Sequence, residues 1–234
     1  IFIADSYSCQ KRKGTHKALN RFRAFVRIVS KNDTRTCWVL KCDIRKFFAN
    51  INHGILMGIL VRHISDADIL SLLRGIIGSF NTKGKISVGL PLGNLTSQLL
   101  VNIYMDEFDR FVKHDLREKY YIRYADDFVV LSESRDHLEA LIPRISVFLK
   151  DQLKLELHPD KLFIKTVASG VDFLGWVHFT DHRVLRTTTK KRMSRRISAD
   201  ADDSIIASYR GMLSHGNAKK LEKKYFGRTA LDLT

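Results

Sequence analysis

Tyr120-Tyr121-Ile122-Arg123-Tyr124-Ala125-Asp126-Asp127-Phe128-Val129-Val130-Leu131 is the stretch that decides the fold. Two β-branched and aromatic runs, broken by a short polar pair, predict two antiparallel strands joined by a tight turn. Asp tolerates the positive φ that such turns require. Two carboxylates then stand side by side at the rim of a sheet, where they repel each other unless a cation is near. A bare Asp-Asp pair in a turn is ordinarily just solvated, so this pair alone is only a candidate Mg²⁺ site. A third acid strengthens it. Trp38-Val39-Leu40-Lys41-Cys42-Asp43-Ile44 predicts a buried strand with one carboxylate near its end. Asp43 either reaches solvent there or shares a cation with Asp126 and Asp127, because a buried unpaired carboxylate is costly. Mg²⁺ takes one or two carboxylates plus substrate phosphates and water. Two such ions about 3.5–4 Å apart stabilise the attacking and leaving oxygens of a phosphoryl transfer.

Charge points the same way. The 234-residue chain carries a net charge of +15 and is 44% hydrophobic, enough to bury a core. Residues 1–46 hold twelve Lys or Arg against three acids, and residues 183–234 hold thirteen against five. The centre, 47–182, holds fifteen against seventeen, so the basic residues concentrate at the two ends. A polyphosphate gripped from two sides suits that distribution; charged, solvated tails are the bland alternative. No apolar run approaches the ~20 residues of a membrane span, and no signal peptide is visible. Cys9, Cys37 and Cys42 are odd in number and lack C-x-x-C spacing, which argues against disulfides and zinc ribbons and for a reducing cytoplasm.

From Thr15, Leu19, Phe22, Phe25, Val26 and Val29 follow helical spacing. Helices are expected over 53–64 and 66–80, the second capped by Ser65 or Asp66. A turn-rich loop runs from Gly84 to Gly93. A long helix is expected from about Asn94 to Lys119 with Leu95, Leu99, Ile103, Phe108 and Val112 among its apolar positions. Residues 134–152 also read as helix, with Pro143 kinking it or starting a second segment. Strands near Lys161–Thr166 and Val171–His178 are expected to form another hairpin, and the remainder from Thr187 reads as basic helix. Helices covering one face of a small antiparallel sheet give an α+β fold.

Five blocks in order carry a resemblance. Lys41-Cys42-Asp43-Ile44-Arg45-Lys46-Phe47-Phe48, Gly89-Leu90-Pro91-Leu92-Gly93-Asn94-Leu95-Thr96-Ser97-Gln98 and Arg123-Tyr124-Ala125-Asp126-Asp127 resemble successive palm motifs of a reverse transcriptase. His158-Pro159-Asp160-Lys161 is similar to the lysine-bearing motif at the end of the palm, and Val171-Asp172-Phe173-Leu174-Gly175-Trp176 to the primer-grip hairpin. The form Gly-Asn-x-x-Ser-Gln in the second block is similar to the enzymes of diversity-generating retroelements within the group II intron-like superfamily.

The resemblance implies a right-hand fold: a palm whose small antiparallel sheet is backed by helices, partial fingers and a helical thumb. It places a remnant of the fingers at 1–36, the palm at 37–180 and thumb at 181–234. The segment from Asp5 to Leu19 resembles the end of the fingers, and the earlier finger motifs are expected upstream of Ile1. It implies that Asp43 and Asp126 bridge two Mg²⁺ ions, with Mn²⁺ as a substitute, that Asp127 is a weaker or outer partner, and that the Ile44 carbonyl completes one coordination sphere. Phe48 would stack under the sugar and clash with a 2′-hydroxyl; on spacing alone it reads as a core Phe. Leu92 stands where many reverse transcriptases carry Gln, and it offers the nucleotide no hydrogen bond, which loosens discrimination; otherwise it merely packs beneath the helix. Gly93 allows close backbone approach or makes the turn, while Asn94, Thr96 and Ser97 are candidate caps. Gln98 faces the template or nucleotide by resemblance only.

Lys161 would protonate the pyrophosphate leaving group as a general acid. Phe173, Leu174 and Gly175 would form the primer grip. Lys190, Lys191, Arg192, Arg195 and Arg196 would contact phosphates of an RNA–DNA hybrid. The nine histidines form no pair at metal spacing. The implied function is RNA-directed DNA polymerisation, namely error-prone cDNA synthesis in a diversity-generating retroelement of bacterial, archaeal or phage origin. Its partners would be template RNA, dNTP and a small basic accessory protein, with no membrane. A group II intron-like or defence-associated reverse transcriptase is the first alternative, and a non-catalytic RNA-binding scaffold the second.

Overall fold

The computed structural model describes residues 2–197 and 202–227. The chain divides into two compact units, Ile1–Ile164 and Lys165–Thr234. The boundaries expected after residues 36 and 180 do not coincide with this division. The N-terminal helix α1 (Thr15–Val29) belongs to the first unit because it buries Ala18, Leu19, Phe22, Phe25, Val26 and Val29, packing on the sheet strands described next.

In that unit β2 (Tyr121–Tyr124) and β3 (Asp127–Ser132) form the expected hairpin, with Tyr124 paired to Asp127 across a two-residue turn. The positive φ falls on Ala125 (56°), not on an Asp as expected. A Cβ makes that conformation strained. β1 (Trp38–Asp43) runs antiparallel to β3 from Trp38↔Ser132 to Asp43↔Asp127. β4 (Phe163–Thr166) completes the order β2-β3-β1-β4. Alternation sends Leu40, Cys42, Phe128, Val130 and Tyr121 into one core with Leu100, Tyr104, Phe108, Leu141, Ile145 and Leu149. Those last six come from α4 (Leu95–Arg110) and α5 (Arg135–Leu153). The opposite-facing Val39, Ile122, Val129 and Leu131 are also fully buried, and α1 contacts both β2 and β3. The sheet is therefore covered on both faces over this stretch, where one covered face was expected.

α2 (His53–Val61) and α3 (Ala67–Gly78) match the expected pair, and Asp66 caps α3 by accepting from the N–H groups of Asp68 and Ile69. Asn94 occupies the N-cap position of α4 without a side-chain cap hydrogen bond. That helix passes into a π-helical turn over Phe111–Asp115 and stops short of Lys119. Its expected apolar face is partly wrong. Leu95 and Leu99 are 80% and 51% exposed, while Ser97, Asn102, Asp106 and Asp109 are buried. Pro143 lies inside a continuous α5, so no second segment begins there.

In the second unit β5 (Val171–Phe173), β6 (Trp176–His178) and β7 (Arg183–Leu185) form a separate antiparallel meander. The expected pairing of 161–166 with 171–178 is not made: the first segment supplies an edge strand of the other sheet. The turn between β5 and β6 is Leu174-Gly175, both at positive φ (51° and 83°), the combination whose twist suits a two-residue hairpin. α6 (Thr187–Arg196), α7 (Asp203–Leu213) and α8 (Lys219–Phe226) follow. Residues 198–201 and 228–234 of the expected basic helical remainder lie outside the described residues.

Candidate active site

β1 and β3 bring the acids together through their register. Ile44 N–H donates to the Asp126 carbonyl at 3.1 Å, so the adjacent Asp43↔Asp127 pair is the non-hydrogen-bonded kind. In such pairs opposed side chains stand closest. Asp126 sits on the turn beside them. Asp43 and Asp126 both line a cleft of about 660 Å³, together with Ile44, Arg45, Lys46, Phe48, Leu92, His158, Asp160 and Lys161.

The segment after α5 closes one side. Lys154 ends that helix at φ 51°, and residues 156–158 then pair with the end of β1. Arg45 N–H donates to Glu156 O at 2.9 Å and His158 N–H to Asp43 O at 2.8 Å. A single helical turn, Pro159–Lys161, follows. It delivers Lys161 Nζ to both Asp43 oxygens, 3.1 Å each. On the other side Lys46 takes φ 47° and starts a 3-10 turn, Phe47–Asn50. Phe47 enters the core at 3% exposure, leaving the half-buried Phe48 on the cleft wall. The 82–93 loop docks on that turn through Leu90 N–H to Phe48 O and Gly89 N–H to Ile51 O, both 2.8 Å. Gly89 sits at φ 108°, and a Cβ there would collide with Thr82 Oγ1. Leu92 is consequently 77% exposed at the cleft mouth, not packed beneath α4. Gly93 has open space where a Cβ would stand, so its φ of 91° is what requires glycine. Gln98 is half-buried and is not among the cleft-lining residues.

The acids are compensated unequally. Lys161 neutralises Asp43, and the nearly buried Lys41 places Nζ 3.0 Å from Asp127 Oδ1. Lys41 shares a strand face with Asp43, two residues away. Burial pushes the Asp127 carboxyl up to about 6, with the Lys41 charge opposing it. Burial also raises Asp126, against a hydrogen bond from its own backbone N–H, and the Asp43 charge adds to the rise. A cation in the cleft would relieve Asp126, whose ionised form is disfavoured by burial and by the Asp43 charge. Asp127, turned to Lys41, does not line the cleft. Among the described residues no three His, Cys, Asp or Glu side chains are grouped to hold a metal ion. Two carboxylates with substrate phosphates and water still satisfy Mg²⁺, so Asp43 and Asp126 fit that ion with substrate completing the shell.

Arg45, Lys46, His158 and Asp160 also line the cleft, although sequence reasoning gave them no role. Their signal was adjacency to the motif residues. Phe173, Leu174 and Gly175 lie in the second unit: Phe173 is fully buried, and the other two make the β5–β6 turn. Lys191, Arg192, Arg195 and Arg196 are exposed on α6 and Lys190 is half-buried, while Thr189 and Met193, one turn apart, are that helix's buried residues. Cys9, Cys37 and Cys42 are all free thiols. No helix among the described residues is long and apolar enough to cross a membrane.

Residues 2–178 match the family described as Reverse transcriptase (RNA-dependent DNA polymerase). Protein YkfC of Escherichia coli K12 is 28% identical over 233 residues, covering 82% of this chain and 58% of that protein. The group II intron-encoded protein LtrA of Lactococcus lactis is 24% identical over 261 residues, covering 83% of this chain and 42% of that protein. The chain thus spans about half the length of these curated relatives. Among solved structures, telomerase from Candida tropicalis bound to a TWJ fragment of telomeric RNA superposes with a TM-score of 0.62 at 12% identity, covering 94% of this chain and 44% of that one. At that identity the likeness shows the fold, an α+β palm.

Proposed function

Since the chain belongs to the reverse transcriptase (RNA-dependent DNA polymerase) family, we propose that it extends a primer on an RNA template by adding deoxynucleotides at the Asp43–Asp126 cleft. The observation that carries the reading is two carboxylates facing one cleft, Asp43 from the end of β1 and Asp126 from the β2–β3 turn, with Lys161 bridging both oxygens of Asp43. Asp43 and Asp126, with the Ile44 carbonyl, would hold Mg²⁺, or Mn²⁺ in its place. Two such ions supply charge stabilisation to the attacking and leaving oxygens. Lys161 Nζ would hold the proton that passes to the departing pyrophosphate. Phe48 on the cleft wall would exclude a 2′-hydroxyl. Asp127, paired to Lys41, would act from behind the ligands.

Leu92 is the basis for the finer reading. Exposed at the cleft mouth, it gives a nucleotide apolar contact and no hydrogen bond, so geometric discrimination is weak. With the Gly93-Asn94…Ser97-Gln98 form, this supports error-prone cDNA synthesis in a diversity-generating retroelement, aided by a small basic accessory protein. Gly93 and Gln98 would border the nascent pair; Phe173, Leu174 and Gly175 would form the primer grip, and Lys190, Lys191, Arg192, Arg195 and Arg196 would contact hybrid phosphates. An intron-type reverse transcriptase is the second reading, favoured by the likeness to LtrA.

The test is primer extension by the native full-length protein on a defined RNA, with dNTPs or rNTPs and Mg²⁺. DNA product lost in Asp126→Ala, with errors concentrated opposite template adenine, is the expected result. Uniform high fidelity would reject the retroelement reading and leave the polymerase. No Mg²⁺-dependent extension, with RNA affinity unchanged by Asp126→Ala, would leave only an RNA-binding scaffold.

A further inference from the structure

The side chain of Arg123 is 0% exposed and lies two residues before the turn that presents Asp126. All three of its nitrogens are engaged. Nε and Nη2 each donate to Asp109 at 2.7 Å; Nη2 also donates to Ser6 Oγ at 3.1 Å, and Nη1 donates to Asn102 Oδ1 at 3.3 Å and to the Ala125 carbonyl at 3.0 Å. Five contacts use the full donor count of a guanidinium. Tyr121 completes the cluster by donating its hydroxyl proton to Asp109 Oδ1 at 2.7 Å. The backbone is tied as well: Arg123 N–H donates to Asp5 O, and Tyr7 N–H donates to Arg123 O, both at 3.0 Å.

One of those contacts lands on the strained residue. Ala125 is held at φ 56°, a conformation that a residue with a Cβ leaves unless its surroundings hold it. Its carbonyl is the turn atom that Arg123 grips, and Asp126 is next in the chain. A buried ion pair adds little net stability compared with apolar residues of similar volume, so stability alone does not account for an Arg here. A planar fork with charge on one side and a turn carbonyl on the other does. We infer that Arg123 is a positioning residue: anchored by Asp109, Asn102 and Ser6, it pins the Ala125 carbonyl and thereby fixes where the Asp126 carboxylate points in the cleft.

The catalytic half of this inference rests on the polymerase reading above; the structural half does not. Arg123→Lys keeps the buried positive charge for Asp109 but has no planar fork to reach Ala125. In Arg123→Met/Asp109→Leu/Tyr121→Phe, the ion pair and the tyrosine hydroxyl are removed together, so neither charge of the pair is left unpaired, while Ser6 and Asn102 keep their contacts with Gln10 and the Ser8 carbonyl. Full-length protein carrying each change is checked for folding, then measured for steady-state dNTP incorporation and for hydrogen–deuterium exchange over residues 120–131. Displacing a reacting group by about 1 Å costs on the order of a hundredfold in rate. A fall in kcat of about ten- to a hundredfold is therefore expected, with KM for dNTP within about twofold, and faster exchange at the turn. Folded variants with unchanged kcat, or with KM raised at constant kcat, overturn the assignment. Should the apolar triple variant fail to fold, the cluster is needed for folding, not positioning, and the inference also fails. If the wild type shows no extension, the polymerase reading falls by itself. Exchange at the turn then decides the matter: faster in either variant upholds the pin, and unchanged exchange overturns it.

Discussion

Acid should loosen the second compact unit through one histidine. His178 is 3% exposed on β6 and sits across from Arg183 of β7. Burial, and then the Arg183 charge, drive its pKa down from 6.5 to about 3, against a hydrogen bond with the Phe173 backbone. A folded pKa below the unfolded one means that the unfolded chain binds the proton more readily. The stability contributed by neutral His178 is thus complete above about pH 6.5 and is lost as pH falls toward about 3. At pH 4 the loss is about 3 kcal/mol, from some 1.4 kcal/mol per pH step over the part of that window already crossed. Exposed Asp181, whose carboxyl is lowered by its hydrogen bond with His182, destabilises in the same direction, but only once pH drops below the ordinary carboxylate range near 4. The chain offers a selective reporter, since its two tryptophans, Trp38 and Trp176, fall one in each unit. In a Trp38→Phe background, urea unfolding followed by Trp176 fluorescence at pH 7 and pH 4 should show the loss. Adding His178→Asn, which keeps an N–H donor but takes up no proton, should remove most of the pH dependence. Equal slopes with and without His178, or a flat profile in its presence, would refute the reasoning.

Asp43→Asn and Asp126→Asn should reduce extension to background, whereas Asp127→Asn, removing a group that acts through Lys41, should cost about 10- to 100-fold, as for residues that orient ligands; single-turnover incorporation separates the two. Lys161→Met should lower both kcat and the Mg²⁺ concentration giving half-maximal extension. The Mg²⁺ shift should be about two- to fivefold, because a half-exposed pair with Asp43 competes with the cation for no more than about 1 kcal/mol. An unchanged or raised Mg²⁺ midpoint would contradict that competition. Gly216→Ala should destabilise the Trp176-reported unit by about 1–3 kcal/mol, since a Cβ would overlap the buried Trp176 ring; equilibrium urea unfolding measures it.

Local patterns carried much of the fold. The period of 3.6 located α1 and its buried face, a single acid capped α3, and paired β-branched runs located β2 and β3 to within a residue. Where periodicity failed, the partner was distant. On α4 the apolar residues pointed to a Leu95–Leu99 face, yet Asn102 and Asp109 are buried because Arg123 and the Ser8 carbonyl satisfy them. A polar residue looks exposed in a sequence until the group that pairs it is known. The 161–166 strand was assigned to its sequence neighbour for the same reason. Edge pairing depends on which sheet has an open edge, and no local residue encodes that.

The motif blocks by themselves pointed to the family, which the match over residues 2–178 shows, and singled out the residues proposed above for its chemistry: Asp43 and Asp126, Phe48 and Leu92. Tertiary structure decided how those acids are charged and aimed. Lys161 reaches Asp43 from 118 residues away, Lys41 claims Asp127, and Arg123 holds the turn before Asp126. Electrostatic compensation depends on distances of a few ångströms between groups remote in the chain, and only the folded arrangement of strands, register and turns sets those distances.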